Sequence, residues 1–374
     1  MLFNKKVGIL GGGQLGAMLI RSAIDFGLDV AVMDSDTKVP AARYTNAFFA
    51  GDTTSYDAVM AFGKDLDIIT IEKEHVNTKA LRALQQQGKA IYPSPETIEI
   101  IQDKYLQKQF MAGCGIPVVP GVAILNRKDL EEHIARFPAC LKKCRSGYDG
   151  KGVMVLHTVA DIQNAFDEAC VLEDLIDIQY ELSVIVSRNK TGAIACYEPV
   201  KMVFKEGQYI LDYQVCPADI SEEEATAACN IAKKIAAQLE LTGILAVEMF
   251  VTKEGQLLVN ELAPRPHNSG HHTIETCPTS QYEQLIRTIL DLAPGETATT
   301  RSSVMINLLE QTSLNETEVE HQLKSLMSVP GTHLHWYGKK ERREGRKSGH
   351  ITITEDKIET ALSTADNVRK ILKN

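Results

Sequence analysis

The chain begins with short apolar runs and one amphipathic stretch. Apolar runs at 6–10, 29–34 and 68–71 predict three strands, and the amphipathic stretch at 15–26 predicts a helix. Strands that alternate with helices are typical of βαβ units in a parallel sheet. The sequence Tyr-Pro-Ser-Pro at 92–95 predicts a loop, so we place the end of a first domain near residue 100.

The pattern after residue 95 predicts a larger second domain and a short third one. Helices are expected over 96–114 and over 222–239, where Ser221 suits the N-cap and acidic residues fill the first turn. Strands are expected at 139–143, 153–156, 169–172, 182–187, 193–197, 246–251 and 257–260. Pro294 and Gly295 mark a second boundary, and the tail from 300 mixes short strands with a basic loop at 338–349. The pattern predicts three α/β domains, at 1–100, 101–295 and 296–374.

Composition narrows the class of protein. The 374 residues are 44% hydrophobic and 24% charged, which is ordinary for globular domains, and the net charge of -9 argues against a nucleic-acid partner. The N-terminus lacks the pattern of a signal peptide, and no apolar stretch is long enough to span a membrane. We therefore expect a cytoplasmic protein without a membrane partner, whose eight cysteines are reduced. Cys140 and Cys144 lack a second ligand pair and make a poor zinc site.

A glycine fingerprint follows the first predicted strand. Gly11, Gly13 and Gly16 match G-x-G-x-x-G, and Asp34 ends the next strand about twenty residues on. Glycines let the backbone approach an anion at the N-terminus of a helix, so a dinucleotide, a substrate phosphate or another substrate contact could bind there. A purely structural turn is the remaining alternative.

The middle region carries candidates for nucleotide binding. Lys142 lies on a predicted strand, and the glycine loop 147–152 follows it; a lysine and backbone N–H groups together can hold phosphates. Glu173 and Glu181 flank a connector that could bond an adenine edge, with a carboxylate beyond it for the ribose. A simple hairpin and two solvated glutamates are the structural alternatives.

Acidic residues on two neighbouring predicted strands suggest a metal site. Glu248 lies within an apolar strand, while Asn260 and Glu261 close the next strand after a short turn. Buried unpaired carboxylates are costly, and Mg²⁺ prefers oxygen ligands that it shares with phosphates. The alternative is a charge-paired or exposed edge.

Taken together, Lys142, the loop GYDGKG, the segment 173–181, Glu248 and the Asn-Glu pair at 260–261 resemble the ATP-grasp superfamily. Further segments make the chain similar to the 5-(carboxyamino)imidazole ribonucleotide synthase family, from residue 7 to about 352. They are GGGQLG at 11–16, TIEKEH at 70–75, LAPRPHNSGH at 262–271, SQYE at 280–283 and HWYGKKERREGRKSGH at 335–350. The resemblance implies an N-terminal Rossmann-like pre-ATP-grasp domain, an ATP-grasp domain and a small mixed α/β C-terminal domain.

The resemblance also implies an activity and a set of nucleotide ligands. In this family ATP phosphorylates bicarbonate, and the carboxyphosphate or its CO₂ carboxylates the exocyclic amine of 5-aminoimidazole ribonucleotide, leaving ADP and phosphate. Glu248 and Glu261 would bind magnesium. The positions that would hold ATP are Lys104, Lys142, Gly147, Tyr148, Asp149, Gly150, Lys151, Gly152, Val153, Glu173, Asp174, Leu175, Ile176, Glu181, Phe204, Asn260 and Glu261. A homodimer is also implied.

Arg265 and His267 would act on the bicarbonate and the reacting amine. A guanidinium suits a planar acid, and an imidazole can transfer a proton near neutral pH. A zinc site formed with His271 and His272, or a plain hydrogen-bonded loop histidine, are alternatives for His267. Ribonucleotide contacts are expected from Gln14, Glu74, Tyr148, Asp149, Lys151, Lys339, Arg346 and Lys347, although such a basic run also suits a solvated surface.

One departure and three rival functions stay open at this point. Many relatives carry P-V-x-E-N-x-H where this chain reads PVKMVF, so Phe204 replaces a histidine that approaches ATP. Rivals are a formate-dependent glycinamide ribonucleotide transformylase of the same superfamily, an NAD-dependent dehydrogenase and a noncatalytic nucleotide sensor. The acid that supports phosphate release, NAD binding without ATP binding, and tight ATP binding without turnover would discriminate them.

Overall fold

The N-terminal part of the computed structural model, which describes residues 4–145, 147, 152–204 and 211–373, is a parallel sheet flanked by helices. Its strand order is β3-β2-β1-β4-β5. The elements are β1 (Lys6–Leu10), α1 (Gln14–Asp25), β2 (Asp29–Asp34), β3 (Ala47–Ala50), α2 (Tyr56–Gly63), β4 (Ile68–Ile71), α3 (Thr78–Gln86), β5 (Ala90–Ile91) and α4 (Pro95–Gln102). The predicted bounds of β1, β2 and β4 are confirmed, because buried strands of a parallel sheet are continuous apolar runs.

The helix predicted over 96–114 is two helices. Helix α4 ends at Gln102 and α5 (Lys104–Gly113) begins two residues later. Between them Asp103 is extended (φ -122°, ψ 110°), and its carboxylate accepts the N–H groups of Tyr105 and Leu106 at 3.1 and 3.2 Å. The single-helix prediction was wrong because an aspartate can satisfy the first N–H groups of a new helix and so end the preceding one.

A small antiparallel sheet of order β6-β9-β7-β8 forms one wall of the central region. Its strands are β6 (Gly121–Ile124), β7 (Ala139–Lys143), β8 (Val153–Leu156) and β9 (Cys170–Asp174). The predictions for β7 and β8 are confirmed, whereas β9 runs two residues beyond the predicted end at 172. Asp174 therefore belongs to a strand and not to the connector that follows it.

The second wall is a nine-stranded sheet that continues into the C-terminal region. Its order is β15-β14-β10-β12-β13-β16-β18-β17, and β11 pairs with β10. The elements are β10 (Ile178–Arg188), β11 (Ile194–Cys196), β12 (Val200–Phe204), β13 (Leu211–Cys216), α6 (Glu222–Gln238), β14 (Gly243–Thr252), β15 (Leu257–Ala263), α7 (Thr273–Thr276), α8 (Gln281–Ile289), β16 (Ser302–Leu309), α9 (Glu316–Met327), β17 (Thr332–Trp336), β18 (Lys347–Glu355) and α10 (Ile358–Lys373). Because β13 pairs with β16, the sheet crosses the predicted boundary at 295/296.

The three predicted regions share buried surfaces. Leu15, Met18 and Leu19 of α1 belong to one apolar cluster with Tyr282 and Ile286 of α8, so the first region packs directly on the central one. In the tail, the last residues of the predicted basic loop 338–349 form the start of β18. Among the described helices, none is long and apolar enough to cross a membrane.

Candidate active site

The small sheet and the nine-stranded sheet face each other, and we call the space between them the cleft. Two carboxylates lie next to each other in this cleft. Glu248 on β14 and Glu261 on β15 are direct partners in the antiparallel register. Lys104 forms an ion pair with Glu261, and Glu248 Oε1 lies 3.4 Å from His267 Nε2. Burial and the nearby carboxylates of Glu261 and Glu181 raise the pKa of Glu248. Two oxygen-bearing side chains on facing strands fit Mg²⁺, which uses one or two carboxylates and completes its shell with phosphate and water.

A second group of charges joins the two walls of the cleft. Lys142 Nζ on β7 donates to Glu173 Oε2 and to Asn260 Oδ1, both at 2.8 Å. Lys108 Nζ approaches the other oxygen of Glu173 at 2.9 Å. Burial favours the neutral form of Glu173, but the attraction of Lys142 and Lys108 outweighs it, so the pKa of Glu173 is lowered. Lys142 and Asn260 thus meet in the structure, and their contact with ATP stays a prediction. Lys108 is a residue that the sequence analysis did not single out.

The connector after β9 borders a cavity of about 600 Å³. Its lining includes Asp174, Leu175, Ile176, Val118 and Leu258, and Leu175 is 46% exposed. Arg136 holds Asp174 through an ion pair of 2.5 Å. The apolar side chains of this lining offer a surface on which a flat heterocycle such as adenine could pack.

Glu181 lies on β10, and the charges of Lys142 and Glu261 act on its carboxyl group. Burial raises the pKa of Glu181 to about 7, while Lys142 acts in the opposite direction. Its partner across the β10–β12 pair is Met202. Phe204, two residues on, packs with the apolar cluster of Val200 and Met202, so the predicted ATP contact of Phe204 stays a prediction.

The glycine fingerprint is filled by the chain's own carboxylates. Gly12 N–H donates to Asp34 Oδ2 at 2.9 Å, and the backbone N–H of Gly13 donates to Glu72. A Cβ added to Gly13 would lie 2.4 Å from Glu72 Oε1, so only glycine leaves room for this carboxylate. Because Asp34 and Glu72 already accept from these N–H groups, the groups are not open to a pyrophosphate, which argues against the dinucleotide alternative.

Glu72 is a site residue that the sequence reading missed. Burial raises its pKa to about 7, although Arg265 and the Gly13 hydrogen bond act in the opposite direction. The signal available in the sequence was its position directly after β4, which lies beside β1 in the parallel sheet. Carboxyl ends of neighbouring parallel strands meet at one edge, where ligands bind.

Arg265 and His267 are held in fixed orientations at the end of β15. Arg265 Nη2 forms a half-buried ion pair of 2.8 Å with Glu74 Oε1 of the N-terminal region. The ring nitrogen Nδ1 of His267 shares a hydrogen bond of 2.9 Å with Ser269 Oγ. The backbone N–H of His267 donates to Gln281 Oε1. Glu74 therefore meets Arg265, and both lie where the first two regions touch.

The basic segment of the tail folds towards the same place. Lys339 Nζ donates to the carbonyl of Lys347 at 2.7 Å, and burial together with Arg346 lowers the pKa of Lys339 to about 8. Lys347 is close enough to Glu248 to oppose part of the rise in the pKa of that carboxyl. Arg43 of the N-terminal region donates to the carbonyl of Gly338. Lys339, Arg346 and Lys347 are thus half-buried, whereas residues 340–345 between them are exposed, and the contact of these cations with a ribonucleotide stays a prediction.

Gln14 lies beside a second cavity, and the two described ends of the glycine loop lie close together. Gln14 borders a cavity of about 180 Å³ together with His335 and Tyr337 of the tail. Gly147 and Gly152 lie side by side at the base of the β7–β8 connection, and Val153 begins β8. The predicted contacts Tyr148, Asp149, Gly150 and Lys151 lie outside the described residues.

The zinc alternative has no support from the histidines. The His271 and His350 rings stack with centroids 4.4 Å apart, and His271 Nδ1 bonds to Tyr282 Oη at 3.0 Å. His272 Nδ1 lies 3.0 Å from the carbonyl of Ser269. In the described part of the chain, no group of three or more His, Cys, Asp or Glu side chains is arranged to hold a metal ion.

Comparisons with known proteins cover nearly the whole chain. Models of the ribonucleotide synthetase preATP-grasp domain, the ATP-grasp domain and the phosphoribosylaminoimidazole carboxylase C-terminal domain match residues 4–102, 109–282 and 303–364. The N5-carboxyaminoimidazole ribonucleotide synthase of Bacillus subtilis is 37% identical over 93% of this chain and 90% of its own length. The chloroplastic phosphoribosylaminoimidazole carboxylase of Vigna aconitifolia is 36% identical over 99% of this chain and 67% of its own.

Solved structures agree with these sequence matches. The N5-carboxyaminoimidazole ribonucleotide synthetase of Thermotoga maritima superposes with a TM-score of 0.89 at 37% identity, over 98% of both chains. The Aspergillus clavatus N5-carboxyaminoimidazole synthase, in complex with ADP and 5-aminoimidazole ribonucleotide, gives 0.91 at 30% identity over 100% of both chains. The predicted three-part ATP-grasp architecture is confirmed.

Proposed function

The chain belongs to the N5-carboxyaminoimidazole ribonucleotide synthase family of the ATP-grasp superfamily, and from this premise we propose how it carries out the reaction. It is an ATP-dependent carbon–nitrogen ligase of purine biosynthesis. It joins the carboxyl group of bicarbonate to the exocyclic amine of 5-aminoimidazole ribonucleotide and releases ADP and phosphate.

The observation that carries the proposal is the convergence of two kinds of group at one point. Glu248 and Glu261 face each other across β14 and β15, with Lys104 and Lys142 on the nucleotide side. His267 lies against Glu248 on the other side. Such an arrangement would let a phosphoryl donor bind directly beside an acceptor acid.

On the nucleotide side the chain's own residues position ATP. We assign the adenine to the cavity beside Leu175 and Ile176, and the phosphates to Lys104 and Lys142. Mg²⁺ held by Glu248 and Glu261 would neutralise phosphate charge during transfer. Asn260 holds Lys142 from the same strand as Glu261, so the cation and the metal ligands keep a fixed spacing.

On the acceptor side, Arg265 offers a planar pair of N–H donors that suits bicarbonate. Its ion pair with Glu74 leaves the guanidinium fixed before the substrate arrives, which lowers the cost of ordering it. His267, whose ring is held by Ser269, would move a proton between the amine and the forming acid.

The ribonucleotide is assigned to the junction of the three regions, which we propose to divide at residues 100 and 295. Lys339, Arg346 and Lys347 would bind its phosphate, because clustered cations with lowered hydration favour a dianion. Gln14 and Glu74 would contact it from the N-terminal side, and Tyr148, Asp149 and Lys151 from the glycine loop. A homodimer and a cytoplasmic location are further proposals drawn from the family resemblance.

Release of ADP tests the reaction directly. The complete mixture of ATP, Mg²⁺, bicarbonate and 5-aminoimidazole ribonucleotide should form ADP, and omission of bicarbonate or of the ribonucleotide in turn should abolish net formation of the carbamate. Replacement of bicarbonate by formate, with glycinamide ribonucleotide as acceptor, should give no product. Turnover with formate, or binding of NAD without binding of ATP, would contradict the proposal.

A further inference from the structure

Lys108 is a buried lysine with no place in the reaction described so far. It is 7% exposed, and its ammonium donates to the carbonyl of Val119 at 2.5 Å and lies 2.9 Å from Glu173. Glu173 is itself 4% exposed. A charged group is costly to bury unless it is paired. A lysine that serves only the fold is therefore usually found at the surface.

The position of Lys108 on α5 explains why it reaches Glu173. Lys104 and Lys108 are four residues apart and share one face of the helix. Lys104 pairs with Glu261 of one sheet, while Lys108 pairs with Glu173 of the other. Helix α5 therefore presents two cations to the two walls of the nucleotide cleft.

Glu173 connects Lys108 to the nucleotide side of the site. One oxygen of its carboxylate meets Lys108, and the other meets Lys142 at 2.8 Å. If Lys142 were the only partner of Glu173, the full negative charge of Glu173 would act on the Lys142 ammonium. The attraction would be strong, because both groups are buried away from water. Lys108 neutralises part of this charge, which leaves Lys142 able to donate to Asn260 and to a phosphate.

We propose that Lys108 is a positioning residue for ATP, which shares the carboxylate of Glu173 and so keeps the ammonium of Lys142 available to the nucleotide phosphates. The proposal rests on the proposed function, in which Lys142 binds ATP. Lys108 acts through Glu173 and not through contact with the substrate.

Charge balance gives a test that a merely structural role would not pass. Lys108→Met should raise KM for ATP about tenfold and change KM for the ribonucleotide less than about twofold. The same Lys108→Met change made in a Glu173→Gln background should raise KM for ATP less than about threefold over Glu173→Gln alone, because the carboxylate through which Lys108 acts is gone. An equal rise of about tenfold in both backgrounds would overturn the proposal.

Two further variants separate the possible failures. Met111→Ala on the same helix removes a fully buried apolar side chain, so it should lower the melting temperature without changing KM for ATP. Lys142→Met should raise KM for ATP on its own. An unchanged KM in Lys142→Met would refute the nucleotide site, whereas a raised KM there with an unchanged KM in Lys108→Met would refute only the role of Lys108.

Should Lys108→Met fail to fold, the Glu173→Gln background carries the test. Without the carboxylate, Lys108 has nothing through which to act, so Lys108→Met in that background should change KM for ATP less than about threefold. A larger change there would overturn the proposal.

Discussion

At the scale of single residues, burial decides the protonation of several carboxyl groups in the cleft. Glu72, Glu181 and Glu248 all have raised pKa values, and burial is the largest cause for each of them. Glu173 and Glu261 differ because lysine ammonium groups lie against them, and their pKa values are lowered. Similar side chains therefore divide into charged and neutral forms according to whether a cation is within contact.

Glu72 gives a stability prediction that depends on pH. Its pKa is about 7 in the folded ligand-free protein against an ordinary value of 4.5, so the folded state keeps a proton that the unfolded chain releases between these values. The stabilisation from this proton is complete below about pH 4.5 and is lost as pH rises through about 7. Glu72→Gln should therefore gain about 2 kcal/mol in the free energy of unfolding, relative to the original protein, between about pH 5 and pH 8.

Urea denaturation of both proteins across this range measures the effect. The difference between them should grow with pH, since only the original protein must ionise a buried carboxyl. A difference that stays constant from acid to alkaline pH would contradict the assignment.

Glu261 gives a prediction about catalysis. Glu261→Ala should reduce the rate of ADP formation by at least about 100-fold, because the substitution removes a carboxylate proposed to bind magnesium and the partner of Lys104. Glu223→Ala, an exposed acid in the first turn of α6, is the matched control and should keep the original rate. Near-normal turnover of Glu261→Ala at saturating magnesium would rule out the metal role.

At the scale of elements, the break between α4 and α5 places Lys104. Asp103 caps α5, and its Oδ2 also forms an ion pair of 3.2 Å with Nε of Arg145, which lies next to the glycine loop. Lys104 is the first residue of the capped helix, so the orientation of its side chain towards Glu261 depends on where α5 begins. A continuous helix through this segment would turn Lys104 to a different direction.

Loss of this cap should affect both stability and ATP binding. Asp103→Ala should cost about 1 kcal/mol in the free energy of unfolding, as for other N-cap substitutions, and raise KM for ATP about threefold. Asn77→Ala removes the cap of α3, where the Asn77 side chain accepts the Ala80 N–H at 2.9 Å. This control should lose similar stability with KM unchanged, and an equal rise in KM for both variants would contradict the role of the α5 cap.

At the scale of the whole molecule, the site exists only where three regions meet. Arg265 of the central region pairs with Glu74 of the first, and Lys347 of the third acts on Glu248. Arg43 of the first region holds the carbonyl of Gly338, directly before Lys339. The proposed ribonucleotide phosphate site therefore depends on contacts between regions that are distant in the sequence.

Removing this contact should weaken binding of the ribonucleotide selectively. Arg43→Ala should raise KM for 5-aminoimidazole ribonucleotide about fivefold, since the segment that carries Lys339 loses its anchor, and should leave KM for ATP unchanged. Steady-state kinetics with each substrate varied in turn measures both values. Lys5→Ala, which removes an exposed ion pair of 3.6 Å with Asp67 in the same region, should change neither. A parallel rise in both KM values would indicate a general disturbance of the fold.

The sequence by itself determined those features that depend on neighbouring residues. Buried strands such as β1 and β4 are mostly apolar runs, and helix α6 follows its N-cap Ser221, whose side chain accepts the Glu224 N–H. The spacing of apolar residues and the capping residues indicate these elements directly, so their bounds could be predicted. The motif set also identified the ATP-grasp family, because glycines, lysine and acids occur in an order that few other folds require.

Only the tertiary structure decided which of these groups meet. The strands β12 and β13 were not predicted. The position of Glu72 after β4 indicates the edge of the sheet but not that its carboxylate fills the glycine turn, and the segment of Lys108 does not indicate that this lysine reaches Glu173. Lys142 and Asn260 are 118 residues apart, and their contact follows from how the two sheets face each other. Such contacts depend on packing between distant elements, and local sequence patterns do not contain this information.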